Sequence, residues 1–108
     1  MTTSDPRWVL VADALERYVG EGTFIYVMYA SPNRVKIGQA MDVSERQVEL
    51  RNEHKRNVVV MGYCMASPVL EHTLHRIFAD TRLDGEWFTF EPILGRLAEA
   101  LNGLRKVG

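Results

Sequence analysis

The sequence predicts an α+β domain: a small, mainly antiparallel three-stranded sheet, built from a hairpin and one further strand, with helices packed against it. Three observations predict this. Thr23 to Ala30 is dense in β-branched and aromatic residues, breaks at Ser31-Pro32-Asn33 and resumes at Arg34, which is the signature of a hairpin. Asn57 to Ala66 is almost wholly apolar and too short for a buried helix. Around these, four stretches repeat apolar residues at helical spacing.

Taken in order, Ser4 or Asp5 serves as an N-cap and Pro6 suits a first helical turn. Trp8, Val11, Ala12, Leu15 and Val19 then form one helical stripe, which Gly20 and Gly22 end. The hairpin follows, 23–30 and 34–38. Asp42 or Ser44 opens a helix to about His54. After the strand 57–66, Ser67 caps and Pro68 starts a helix to about Ala79. Asp84-Gly85 is a turn, Glu86 to Phe90 a short extended piece, and Pro92 opens a last helix to about Lys106. Residues 1–22 therefore read as an N-terminal helix packed on a domain of residues 23–108, one globular unit overall.

The lone cysteine, Cys64, excludes a disulfide framework and sits in an apolar run as a buried small residue. No apolar run approaches the roughly 20 residues of a membrane span. The first residues lack a basic segment before an apolar one, so the expected location is cytoplasmic. The net charge is −1. Phosphate neutralisation supplies most non-specific affinity for nucleic acid. A nucleic-acid function must then rest on a local cluster of cations, on a second copy of the chain, or on a DNA-targeting partner protein.

Strand alternation supplies the chemistry. Ile25, Val27, Val35 and Ile37 share one face of the hairpin and point to the core, which leaves Tyr26, Arg34 and Lys36 together on the other. A phenol beside two cations is expected to ionise more easily than a free one. Arg46 follows on the next helix. Glu71 and His75, one turn apart, share a face of a later one and flank its buried stripe of Leu70, Leu74, Ile77 and Phe78. Arg51, Lys55 and Arg56 form a further basic cluster fit for phosphates. Glu71-His72-x-x-His75 lacks the third or fourth soft ligand a zinc site needs. Trp87 and Phe88 are expected to cap the core, with Glu86 bonding the hairpin backbone or an arginine.

Phe24-Ile25-Tyr26, Lys36-Ile37-Gly38, Arg46 and Glu71 together resemble the GIY-YIG nuclease superfamily over roughly residues 23–90. Tyr26 matches the tyrosine of its first triplet, Gly38 the glycine of its second, Arg46 its helical arginine and Glu71 its metal-binding glutamate. Phe24 stands where the first glycine is usual, and Lys36 where the second tyrosine is. Lysine there is typical of a phage- and bacterium-associated branch. The resemblance implies a metal-dependent endonuclease that hydrolyses DNA phosphodiester bonds, with RNA left open as substrate. It also implies roles: Tyr26 as general base or water-positioning group, Lys36 lowering the Tyr26 pKa or meeting a phosphate, and Arg46 stabilising transition-state charge. Glu71 would hold one Mg²⁺ or Mn²⁺, and His75 would touch the leaving group or a phosphate or orient a water. The alternative is a catalytically inactive module of the same fold that binds nucleic acid or protein.

Overall fold

In the computed structural model, which describes residues 5–107, the chain is α+β, with one five-stranded, wholly antiparallel sheet flanked by helices. The elements are α1 (Arg7–Tyr18), β1 (Val19–Ala30), β2 (Arg34–Ala40), α2 (Val43–His54), β3 (Val58–Ala66), α3 (Val69–Ile77), a single 3₁₀ turn (Ala79–Thr81), β4 (Arg82–Asp84), β5 (Trp87–Thr89) and α4 (Pro92–Val107). The sheet order is β3-β1-β2-β5-β4. The class is as expected, but two strands are added to the three. The Asp84-Gly85 turn closes a second, small hairpin, with Gly85 at φ 53, and its β5 limb pairs with β2 from Arg34 to Lys36.

Each element forms for local reasons. Asp5 accepts from the Arg7 backbone N–H through Oδ1 at 3.0 Å, which anchors the first turn of α1. Ser4, the other expected cap, lies outside the described residues. Asp42 caps α2 by accepting from Glu45 N at 2.9 Å, and Lys55 closes that helix in the left-handed conformation. Ser67 Oγ accepts from Val69 N at 3.2 Å at the start of α3.

Gly20 and Gly22 do not stop a helix. α1 ends at Tyr18, and β1 begins at once, four residues earlier than expected. The two glycines form a bulge, so that both Val19 and Thr23 lie opposite Ala66. At Gly22 (φ 146) a Cβ would strike the Ala66 carbonyl, so only glycine lets β1 pass there. β3 is an edge strand, and it is less buried than its composition suggested: Val59 and Met65 are exposed.

The sheet has a core on each face. On one, Ile25, Val27, Val35, Ile37 and Phe88 meet α1, α3 and α4 through Val11, Leu70, Leu74, Phe78 and Leu97, all fully buried. Complete burial of each such side chain contributes roughly 1.5–3 kcal/mol, so this layer dominates stability. Gly62 lets α4 lie directly on β3, because a Cβ there would fall on the Ala98 backbone. On the other face, α2 covers Tyr26, Met28 and Trp87 with Val43 and Leu50. That face was expected to gather Tyr26, Arg34 and Lys36 away from the core; it is a second core, which buries Tyr26 and Lys36. No helix among the described residues is long and apolar enough to cross a membrane.

Candidate functional site

The site assembles where β2 outruns its neighbour β5. Tyr26 lies directly opposite Gly38 in the β1–β2 ladder. The phenol ring lies across that glycine: a Cβ at Gly38 would land on the Tyr26 hydroxyl and 3.1 Å from Glu86 Oε1. Gly38 is thus the gap that admits the ring and a carboxylate to one spot on the sheet. Tyr26 is 1% exposed.

The two sides of this spot are furnished by different helices. From α2 comes Arg46, which also pairs with Glu49 at 3.2 Å, three residues on. From α3 come Glu71 and His75. His75 Nε2 lies 2.8 Å from the Ile37 carbonyl, and since a carbonyl only accepts, this nitrogen carries the proton. The bond commits Nε2 to fastening α3 onto the edge of β2, and the ring packs edge-on to Phe88. The expected His75 roles would therefore have to run through Nδ1, since Nε2 is taken. Glu71, four residues earlier, is itself buried, 4% exposed, instead of flanking a cleft. Among the described residues its Oε2 has no hydrogen-bond partner.

Lys36 is buried too, at 7% exposure. It faces Met28 in the ladder, one step along the face from Gly38. Its ammonium turns to Glu86 Oε1 at 3.0 Å and lies 5.5 Å from the centre of the Trp87 ring. The cation that acts on the phenol is therefore Arg46, not Lys36. Arg34, expected beside them, is exposed at the turn end of the hairpin, opposite Ala30 and Thr89. Arg51, Lys55 and Arg56 lie at the far end of α2 from Arg46. Arg51 and Arg56 donate to the backbone carbonyls of Val58 and Ser31, and all three are exposed.

Phe24 packs edge-on to Tyr63, at 5.8 Å between ring centres. Both line a cleft of about 480 Å³ between the N-terminal end of α2 and strands β1 and β3. Cys64 is buried, and burial pushes its thiol up, as expected of an inert residue.

The electrostatics reverse one expectation. Tyr26 was expected to ionise easily. Instead its pKa is pushed up to about 12, first by burial, with the charges of Glu86 and Glu71 adding to the rise and Arg46 opposing it. The Glu71 carboxyl is likewise raised, first by burial and then by Glu86; His75, His72 and Gln39 pull the other way. Glu86 and Gln39 are the neighbours that sequence reasoning did not place in the site. The Asp84-Gly85 turn was visible, but not that its hairpin pairs with β2, which is what brings Glu86 in.

The tyrosine shift makes a prediction. A phenol with its folded pKa above the unfolded value binds more protons in the folded chain, so stability is full below pH 10 and is lost as pH rises toward 12. The rise from 10.0 to about 12 corresponds to roughly 2–3 kcal/mol. Between pH 10 and 12, urea unfolding should show wild type losing about that much stability relative to Tyr26→Phe. Parallel curves for the two proteins would refute the shift.

Among the described residues no group of three or more His, Cys, Asp or Glu is arranged to hold a metal ion. Glu71 nonetheless fits a single-carboxylate site, because its unpartnered buried oxygen is the kind of hard donor that Mg²⁺ or Mn²⁺ takes.

Residues 23–107 match the family model described as the T5orf172 domain. No curated protein and no solved structure matches the chain.

Proposed function

The chain belongs to the T5orf172 domain family, a nuclease-like or DNA-binding type of module associated with phage endonucleases, and on that premise we propose that it is a metal-dependent endonuclease of the GIY-YIG kind acting on DNA. The observation that carries this reading is the convergence on Gly38. Tyr26, Arg46, Glu71 and Lys36 come from four separate elements, and three of these groups are buried, where isolated polar side chains cost stability. A fold with no use for them would gain by replacing them.

The roles follow from the surroundings. Tyr26 keeps its proton at neutral pH and so acts as a neutral phenol, orienting the attacking water through its hydroxyl. Arg46 presents a planar, permanently charged fork to the phosphate oxygens as negative charge builds there. Lys36 supplies a second cation to the phosphate. His75 keeps α3, and with it Glu71, fixed against β2. Glu71 would hold one Mg²⁺ or Mn²⁺ ion, which when bound supplies Lewis-acid stabilisation of the phosphate. Arg34 and the Arg51, Lys55 and Arg56 cluster lie away from this point and would serve only to track the backbone of a longer substrate. With a net charge of −1, tight binding calls for a second copy of the chain or a DNA-targeting partner. Such activity belongs in the cytoplasm, where the nucleic acid is.

The test is incubation with supercoiled plasmid at low salt in Mg²⁺, Mn²⁺ or EDTA, beside Tyr26→Phe. Nicking that needs metal and falls by about 10²–10⁴-fold in the variant is the expected result. DNA retarded on a gel but never nicked would replace this reading with the inactive binding module.

A further inference from the structure

Lys36 occupies an unusual position for a lysine. It is 7% exposed, in the second core, with Met28 opposite it in the ladder and Trp87 opposite it on β5. A lysine there needs a counter-charge, because burying an unpaired ammonium is costly. Three features of the fold supply one. Gly85 at φ 53 allows the tight β4–β5 turn. The Glu86 carbonyl accepts from Ile37 N at 3.1 Å, which fixes the turn residue against β2 immediately after the lysine. The bare Cα of Gly38 leaves room for the Glu86 carboxylate, whose Oε1 stands 3.1 Å from where a Cβ would be and 3.0 Å from Lys36 Nζ. The lysine is thus clamped between a carboxylate and an indole face.

We propose that Glu86 is a positioning residue of the site: the β4–β5 hairpin delivers its carboxylate to the Gly38 gap, where it holds the Lys36 ammonium ready for a substrate phosphate. This rests on the nuclease reading above and adds to it a residue whose main part is to hold Lys36, while its charge also bears on Tyr26 and Glu71. Glu86 touches no reacting atom. Its loss leaves the lysine free to swing out toward solvent, and a misplacement of about 1 Å in such a site costs on the order of 100-fold in rate.

A double-mutant cycle tests it, with Glu86→Gln, Lys36→Met and the double variant. Glu86→Gln keeps the backbone bond to Ile37, and Met matches the length of the buried lysine stem, so both should fold. Single-turnover cleavage and DNA affinity are measured for each, together with urea unfolding midpoints. The expected result is a loss of about 10- to 100-fold in cleavage rate for Glu86→Gln, with DNA affinity unchanged. In the Lys36→Met background the same substitution costs less than about 3-fold, because the group it positions is gone. An equal loss in both backgrounds overturns the proposal, since Glu86 would then act by itself, and so does no loss in either. The unfolding cycle needs no activity. Coupled midpoints in a wild type that never cuts would sink the nuclease reading while leaving the clamp, whereas additive midpoints would sink the clamp.

Discussion

Gly38→Ala is expected to abolish cleavage, by 100-fold or more, in a protein that still folds. The added methyl meets the Tyr26 hydroxyl and, 2.6 Å away, the ring carbon that bears it. A flexible side-chain tip could move aside. This ring cannot, because Tyr26 is 1% exposed and held beneath α2 with Met28, Leu50 and Trp87 around it. Relief requires either the ring to leave its rotamer or β1 and β2 to shift, at about 1–3 kcal/mol of stability. Either movement displaces the hydroxyl from the point where Arg46 and Glu86 act on it. Displacements of that size cost on the order of 100-fold. The mechanism has a signature: adding Tyr26→Phe to Gly38→Ala should lower the rate little further, because both changes disable one group. Plasmid nicking and urea melts of the two singles and the double decide it. Multiplicative losses would mean that Gly38 serves something other than the tyrosine.

Much of this geometry is legible in sequence, and the part that is not has identifiable causes. Alternation alone places Tyr26, Lys36 and Gly38 on one face of the hairpin, and so they are. It does not say what covers that face. α2 contributes only Val43 and Leu50 to burial and carries charge along most of its length, so nothing in its pattern announces a helix that closes a core. Hence Tyr26 was expected to ionise easily, whereas burial and two carboxylates hold its proton. Gly20 and Gly22 read as a helix stop because glycine has two common uses, and only the close pass of β1 by Ala66 selects the bulge. Glu86 escaped for a different reason. Its turn is local chemistry and visible, but the pairing of β5 with β2 spans about fifty residues, and no local signal encodes it. The ion pair of Lys36 with Glu86 follows from that pairing and from nothing nearer in the chain.

Glu71→Gln should raise stability while abolishing cleavage, which separates a functional carboxylate from a structural one. Glu71 is 4% exposed, its Oε2 has no hydrogen-bond partner among the described residues, and burial together with Glu86 raises its pKa. A carboxyl with its folded pKa above the unfolded value binds more protons in the folded chain. Its ionisation therefore opposes folding: stability is full below about pH 4.5 and falls as pH rises through the unfolded value toward the folded one. Glutamine keeps the shape and discards the charge. A buried charge without a partner costs more than the neutral amide of the same shape, so removing the charge favours folding, although the amide remains a buried polar group. The variant should thus melt above wild type at pH 7, and the two curves should converge below pH 4. Mn²⁺ should narrow the gap by stabilising wild type alone, since mass action favours whichever protein binds it. Cleavage should fall by at least 100-fold, because an amide is a poor substitute for a carboxylate toward Mg²⁺. A variant less stable than wild type at pH 7 would show that the carboxylate has a partner that offsets its burial. A variant that still cuts would remove Glu71 from the metal. The gain in stability and the loss of activity are coupled here because both arise from one oxygen, buried without a partner at the edge of β2.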